Sequence, residues 1–403
     1  MKKSIFIVSR DLDIQRIIYS YQDLIKKLIF KFGEVTLVSF DNFFNNRENI
    51  IFSDKKIDNF NNKLSIFFPK NKNEFNNICK SKKIIAIDNL GKNFKDFILR
   101  RLIKKNNIKL ALILNQGFIS NDESYPINEL SSLIFEIKKK IFVTFYRILV
   151  LLKYIPNIHF YFDTRKDICE NCLIKKKNFL SKLFFFLNIN YFENIYHINS
   201  LAYDNFIIQN NTPKEEKIVF LDNNYNHRDI TSRHKFDRLE LRRIYFSRLK
   251  FFFEWISSLC NKNIEICLHP TSDFDDYKSY FNHFEISQYQ TQHSILNAYI
   301  VLFHFSGSVS DAVLNKKKII SLKTGLLGSY VNYRINRYTE LLKTISINID
   351  DDQYLLLSPD LIKKELNNYD NNYESYINNF LKNKSEYQTG ADKIVEVFNQ
   401  QIF

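Results

Sequence analysis

Two polar clusters in this chain follow directly on apolar runs. Ile264-Glu265-Ile266-Cys267-Leu268 leads into His269-Pro270-Thr271-Ser272, and Tyr299-Ile300-Val301-Leu302-Phe303-His304-Phe305 leads into Ser306-Gly307-Ser308-Val309-Ser310-Asp311. His269 offers an N–H donor, and Pro270 ends the run so that the imidazole leaves the strand ladder. Thr271, Ser306, Ser308 and Ser310 add hydroxyls, and Gly307 lets main-chain N–H groups come close to an anion without a metal between them. Helix capping alone asks for a single Ser, so three hydroxyls around a Gly exceed that need, while Asp311 in the first turn complements the helix dipole. Lys323, in Lys323-Thr324-Gly325, brings a cation to the end of a further strand. Three of the seven glycines, Gly307, Gly325 and Gly328, fall in this region. The chemistry this predicts is uptake of a phosphate-bearing ligand at the carboxyl edge of a parallel sheet.

Such an edge needs alternating strands and helices to build it. In the first half, Ser4–Arg10, Val35–Phe40, Lys83–Asp88, Lys109–Asn115 and Ile158–Asp163 read as strands. Asp13–Phe32, Phe94–Lys105 and a broken stretch over Ile127–Ile155 read as helices. The polar, Pro-containing segment Asn210-Asn211-Thr212-Pro213-Lys214-Glu215-Glu216 reads as a linker. Beyond it come strands Lys217–Asp222, Ile264–Leu268, Phe284–Ser287, Tyr299–Phe305, Lys318–Lys323 and Ile345–Ile349, with a long helix around Phe236–Cys260. Tyr369–Gln401 reads as helices that return to the first domain. The class is therefore α/β, with parallel sheets covered on both faces. The expected division is 1–210 for an N-terminal α/β domain, 211–370 for a C-terminal α/β domain, and 371–403 for terminal helices.

Composition narrows the function. A chain of 403 residues with 45% hydrophobic and 16% aromatic content builds packed cores and exceeds the usual size of a single one. The net charge of +14 is dispersed among Asn and Phe and is not gathered into a nucleic-acid module, so a basic nucleic-acid-binding protein ranks low. The cluster Lys175-Lys176-Lys177-Asn178-Phe179-Leu180-Ser181-Lys182-Leu183-Phe184-Phe185-Phe186 reads first as a helix with a Phe core face, and second as a peripheral contact with an anionic membrane. The longest apolar stretch, Ile141–Ile155, is cut by Arg147 and Lys153 and falls short of the ~20 residues of a span. The opening residues lack a signal-peptide core, so the expected location is the cytoplasm, at the inner face of its membrane. Five cysteines, Cys79, Cys169, Cys172, Cys260 and Cys267, read as reduced thiols, and the lone Cys169-Glu170-Asn171-Cys172 pair lacks the second pair of a zinc site.

The order Ile218–Asp229, helix, Ile266-Cys267-Leu268-His269-Pro270, then His304-Phe305-Ser306-Gly307-Ser308 resembles bacterial surface-polysaccharide glycosyltransferases of the GT-B type. It is similar in motif order to CMP-dependent Kdo transferases and sialyltransferases, over about Lys217–Thr324. The resemblance implies two Rossmann-like domains facing a cleft, with 1–210 on the acceptor side and 211–370 binding the nucleotide sugar, and metal-independent transfer of a ulosonic acid such as Kdo from a CMP-linked donor, with no further cofactor. The acceptor would be a growing capsule or lipopolysaccharide glycan or glycolipid. It implies that His269 contacts the donor phosphate, and that a carboxylate acts as base or nucleophile; Asp222, ending its strand, is the first candidate and Asp229 the second. Arg10 and Arg228 are candidates for pairing with acidic sugars. Where inverting sialyltransferases carry an acidic residue before Gly, this chain has Asn115-Gln116-Gly117, with Asp122 and Glu123 beyond. The alternative donor reading is a UDP-sugar or polyol-phosphate transferase of similar build.

Overall fold

A computed structural model of the chain describes residues 2–10, 14–44, 60, 63–91, 94–114, 137, 141, 145, 148–150, 152–165, 192–208, 216–226, 230, 237–350, 352–356, 359–367, 373–383 and 388–402. The chain divides into two compact units. One is Met1–Gln116 with Lys139–Asn205 and Asn379–Phe403, and the other is Gly117–Lys138 with Phe206–Asn378.

The first unit holds seven parallel strands, β1 (Lys2–Ser9), β2 (Val35–Ser39), β3 (Leu64–Phe67), β4 (Lys82–Asn89), β5 (Lys109–Leu114), β6 (Ile158–Asp163) and β7 (Phe192–His197), in the order β3-β2-β1-β4-β5-β6-β7. A parallel sheet covered on both faces needs strands apolar at every position. Ile5-Phe6-Ile7-Val8 meets that need: Ile5 and Ile7 join one core cluster while Phe6 and Val8 join another on the opposite face. The helices are α1 (Ile14–Ser20), α2 (Gln22–Phe32), α3 (Lys72–Cys79), α4 (Phe94–Lys105) and α5 (Leu201–Ile208). The single helix expected over Asp13–Phe32 is divided at Tyr21, whose backbone leaves helical geometry at φ −119°. β3 and β7 escaped the sequence reading because they are short and their exposed positions break the apolar run.

The last helix, which we number α11 (Gly390–Ile402), belongs to this first unit. Its Phe398 ring lies 6.0 Å from both Phe160 and Phe162, in the core that α2 also covers. Asp204 on α5 accepts the N–H groups of Gly390 and Ala391, each at 2.9 Å, and so satisfies the open start of α11. Burial pushes that carboxyl up to about 6. A side chain at Gly390 would meet the Asn199 carbonyl at 2.1 Å, so only glycine fits there.

The second unit holds six parallel strands, β8 (Lys217–Leu221), β9 (Asn263–Leu268), β10 (Glu285–Gln288), β11 (Ala298–Phe303), β12 (Lys318–Lys323) and β13 (Ile345–Asn348), in the order β10-β9-β8-β11-β12-β13. Between β8 and β9 runs α6 (Arg238–Cys260), started by Asp237, whose carboxylate accepts the N–H groups of Leu239 and Glu240, and ended by Asn261 in the left-handed conformation at φ 50°. Leu241, Tyr245, Phe246, Leu249, Phe252, Phe253 and Ile256 recur at helical spacing and bury one face against the sheet. The shorter helices are α7 (Phe274–Tyr280), α8 (Thr291–Leu296) and α9 (Val309–Leu314), followed by α10 (Ser329–Leu342). These are two Rossmann-like, doubly wound domains of the GT-B type. Each changes direction once: the chain winds outward from β1 or β8, then crosses to the other side at β4 or β11. Ligands of such sheets settle at that reversal, outside the carboxyl ends of the two central strands.

Candidate functional site

In the second unit the reversal lies between β8 and β11, and the three residues after β8 tie the loops on both sides of it. Asp222 turns toward β9. Its carboxylate accepts the His269 N–H at 3.1 Å, the Ser272 hydroxyl at 2.6 Å and the Tyr277 hydroxyl at 2.7 Å. Its own N–H donates to the Cys267 carbonyl. Asn223 turns the other way, and its side-chain oxygen accepts the Phe305 N–H at 3.3 Å. Asn224, left-handed at φ 53°, donates to the carbonyl and hydroxyl of Thr271 at 3.0 and 2.9 Å and accepts the Asn226 N–H. Asn tolerates that backbone geometry better than other side-chain-bearing residues do.

His269 and Thr271 form a further local clasp. The Thr271 N–H donates to Nδ1 of His269 at 3.2 Å and the Thr271 hydroxyl lies 2.8 Å from the same nitrogen. A ring whose Nδ1 accepts carries its proton on Nε2, so in this assignment the neutral imidazole is an Nε2–H donor. The loop is held from its far side by Gln288, whose amide donates to the carbonyls of His269, Pro270 and Ser272.

On the other flank, Ser306, Gly307 and Ser308 form the turn between β11 and α9, each partly exposed. The Ser308 N–H faces the Ser306 hydroxyl at 3.4 Å, and Ser308 makes no side-chain cap of α9. Helix capping therefore does not account for its hydroxyl. Ser310 differs from the other two: it is buried, and its hydroxyl lies 3.3 Å from that of Tyr376. The sequence grouped it with the ligand-facing hydroxyls, whereas in the fold it packs α9 against the 373–381 segment.

Asp311 retains some exposed surface, but burial of its carboxyl pushes it up to about 7, with Gln292 as a distant donor at 3.5 Å. Lys323 ends β12, one strand further on, partly exposed. Next to it Asp350 accepts from the Thr324 hydroxyl at 2.6 Å and from the Gly325 N–H, fixing the Gly-containing turn.

His269 and the Ser306–Ser308 turn end strands on either side of β8, so two strand spacings, about 10 Å, separate their ladders on one edge of one sheet. That span suits a ligand touching each with a different part. Asp222 lies between them with 3% exposure and three donors on its oxygens. Arg228 and Asp229 lie outside the described residues, as do Asn115–Gly117, Asp122, Glu123, the Cys169–Cys172 pair and the Lys175–Phe186 cluster.

Behind the edge, His304 is fully buried. Its Nδ1 donates to the Leu322 carbonyl at 2.6 Å and its Nε2 meets the Tyr245 hydroxyl at 2.9 Å. Burial drives its pKa down to about 4, so it is a neutral brace directly after β11, where the sequence reading extends the strand to Phe305. Cys267 and Cys79 are buried thiols pushed up to about 11 and about 12 and are not thiolates at neutral pH. Among the described residues no group of three or more His, Cys, Asp or Glu side chains is placed to hold a metal.

In the first unit the reversal between β1 and β4 is filled by ion pairs. Arg10 reaches the buried Asp96 at 3.6 Å. Asp88, ending β4, takes both Nε and Nη2 of Arg100, at 2.9 and 3.2 Å, while Nη1 donates to the Gly91 carbonyl. At the end of β6, Asp163 holds Arg165 with two bonds of 3.1 and 2.9 Å. The charge of Arg10, read from the sequence as a partner for acidic sugars, already faces a carboxylate of its own unit.

Sequence reasoning singled out His269, the serines and Asp222 and gave no role to Ser272 and Tyr277, which bond to Asp222, or to Asn223 and Asn224, which bond to Phe305 and Thr271. An Asn-Asn pair directly after a strand was the available signal, hidden by the abundance of Asn throughout the chain.

No protein-family model matches the chain, and no curated protein matches it in sequence. Solved structures do match in fold. The UDP-GlcNAc 2-epimerase of Methanocaldococcus jannaschii, in complex with UDP-GlcNAc and UDP, superposes with a TM-score of 0.52 at 14% identity, over 99% of this chain and 100% of that one. A putative UDP-N-acetylglucosamine 2-epimerase from Listeria monocytogenes gives 0.53 at 11%, over 100% and 96%. UGT2 of Phytolacca americana, complexed with UDP-2-fluoro-glucose and pterostilbene, gives 0.51 at 10%, over 99% of each. At these identities the shared property is the fold.

Proposed function

We propose that this chain is a glycosyltransferase that takes a sugar from a UDP-linked donor, with the donor's phosphates on the carboxyl edge of the second sheet. The observation that carries the reading is the paired arrangement at the β8/β11 reversal: a clasped imidazole on one side, the partly exposed Ser306-Gly307-Ser308 turn on the other, and Asp222–Asn224 fixing both. The Nε2–H of His269 would donate to a phosphate oxygen whose charge grows as the glycosidic bond breaks. Ser306 and Ser308 would hold the other phosphate oxygens, Gly307 would let the backbone approach, and Lys323 would add a cation. We assign Asp222 to positioning in place of nucleophilic attack, because a buried carboxylate with three donors is poorly available to an anomeric carbon. Asp229 then remains the candidate base for a glycan or glycolipid acceptor.

UDP is preferred to CMP because structures sharing this fold end to end hold UDP, UDP-GlcNAc or UDP-2-fluoro-glucose, whereas the CMP reading rests on motif order alone. Titration calorimetry with UDP and CMP tests the donor class. UDP should bind at least about 10-fold more tightly, and His269→Ala and Ser308→Ala should each weaken it by a similar factor with the melting temperature unchanged. Tighter CMP binding would return the donor to a CMP-linked ulosonic acid, and no binding of either would reject the site. Two of the three structures described above are named as 2-epimerases, one of them putative, so NMR of UDP-GlcNAc incubated without acceptor provides the control: appearance of the C2-inverted sugar nucleotide would replace transfer by epimerisation.

A further inference from the structure

Two helical stretches of the first unit turn apolar residues outward with the same spacing. On α4 the exposed positions are Phe94, Ile98, Arg101 and Lys105, at steps of four, three and four, with Lys95 exposed beside them. The core face of α4 is buried through Phe97, Leu99, Leu102 and Ile103, so the exposed Phe94 and Ile98, followed by the cations Arg101 and Lys105, lie outside that core. The second stripe is Ile141, Phe145, Ile148 and Leu152, again at four, three and four, with the first three in helical geometry.

The stripes belong to one surface. Phe145 meets Phe97 at 5.8 Å between ring centroids, the Arg101 guanidinium lies 3.9 Å above the Tyr154 ring, and Lys104 donates to the Lys153 carbonyl. Phe94, Ile98, Ile141, Phe145, Ile148 and Leu152 are 39–72% exposed. Single exposed apolar residues are ordinary, but six large ones along two joined stripes are not.

The charge around them has one sign. The only acid of α4, Asp96, is buried, while Lys95, Arg101 and Lys105 are exposed. Of the described residues between Ile137 and Tyr154, Lys153 is an exposed cation and none is acidic. No helix among the described residues is long and apolar enough to cross a membrane. An apolar stripe flanked by cations and too short to span lies in the plane of an interface, with its side chains below the headgroups and its cations against them. We propose that this face of the first unit docks on an anionic lipid surface. The proposal is independent of the donor site and would stand if the donor reading failed.

Sedimentation of the full chain with vesicles tests it, using phosphatidylcholine alone and phosphatidylcholine with about 30% phosphatidylglycerol. The bound fraction should rise at least 10-fold with the anionic lipid and fall as salt is added. Phe94→Ser combined with Leu152→Ser, and separately Arg101→Glu combined with Lys105→Glu, should each reduce binding about 10-fold; these are surface positions, so the melting temperature should hold. Equal binding to both vesicles, or unchanged binding by both variants, overturns the proposal. Light scattering covers the competing occupant: if the apolar variant turns a dimer into a monomer and vesicle binding is absent, the face is an interface between copies of this chain.

Discussion

The carboxyl edges of the two sheets share a strand order and differ in how their polar groups are matched. Among the described residues, the β1/β4 reversal pairs Arg10 with Asp96 and Arg100 with Asp88, and Arg165 meets Asp163 at the end of β6. At the β8/β11 reversal the central carboxylate, Asp222, is matched among the described residues by two hydroxyls and a backbone N–H. Paired opposite charges cancel one another's field and leave little for a ligand. Neutral donors organise the loops around Asp222, where His269, Ser306 and Ser308 are partly exposed. The lesson is that one topology provides two equivalent reversals, and side-chain matching sets them apart.

Breaking each edge should give different consequences. Asp88→Ala strands the buried Arg100 cation, and we expect the first unit to lose about 3–5 kcal/mol in urea denaturation with UDP affinity unchanged. Asp222→Ala leaves three donors without their acceptor and should cost the second unit about 2–4 kcal/mol, with UDP binding by calorimetry at least 10-fold weaker. A loss of affinity in the first variant, or none in the second, would erase the distinction between the edges.

The pH response sharpens it. The His304 pKa of about 4 lies below its ordinary 6.5, so its contribution to stability is complete above pH 6.5 and is lost as the pH falls toward 4. Between pH 6.5 and 5 the second unit should lose about 2 kcal/mol that a His304→Gln variant does not lose, compared as slopes of stability against pH. Asn223→Ala should have the smallest effect, about 1 kcal/mol, because it removes one bond across the reversal. Its UDP affinity should drop only a few-fold, and an unchanged value would show that the Phe305 loop needs no tie.

Much of the second unit was legible in the sequence. Ile218–Leu221, Ile264–Leu268, Tyr299–Phe305 and Lys318–Lys323 are unbroken apolar runs, and a doubly covered parallel sheet asks for that pattern. His269 and Ser306–Ser308 were legible because they interrupt those runs. The role of Asp222 was not, since a residue ending a strand reads equally as nucleophile, base or brace until its neighbours are known. Ser310 shows the same limit: its hydroxyl type matched the ligand-facing set, and only the packing of α9 against Tyr376 separates it. The sequence judged Ile141–Ile155 too short to span a membrane, and the fold adds that Ile141, Phe145, Ile148 and Leu152 are exposed, as are Phe94 and Ile98 of α4.

Local sequence thus determined the strands, the helices and the residue types at their ends, because periodicity, capping and strand-breaking act over a few residues. Only the tertiary structure decided which polar ends meet, since Asp222 finds Ser272 and Tyr277 fifty or more positions away. Contacts at that separation follow from strand order and side-chain geometry, and neither is written in the local run of residues.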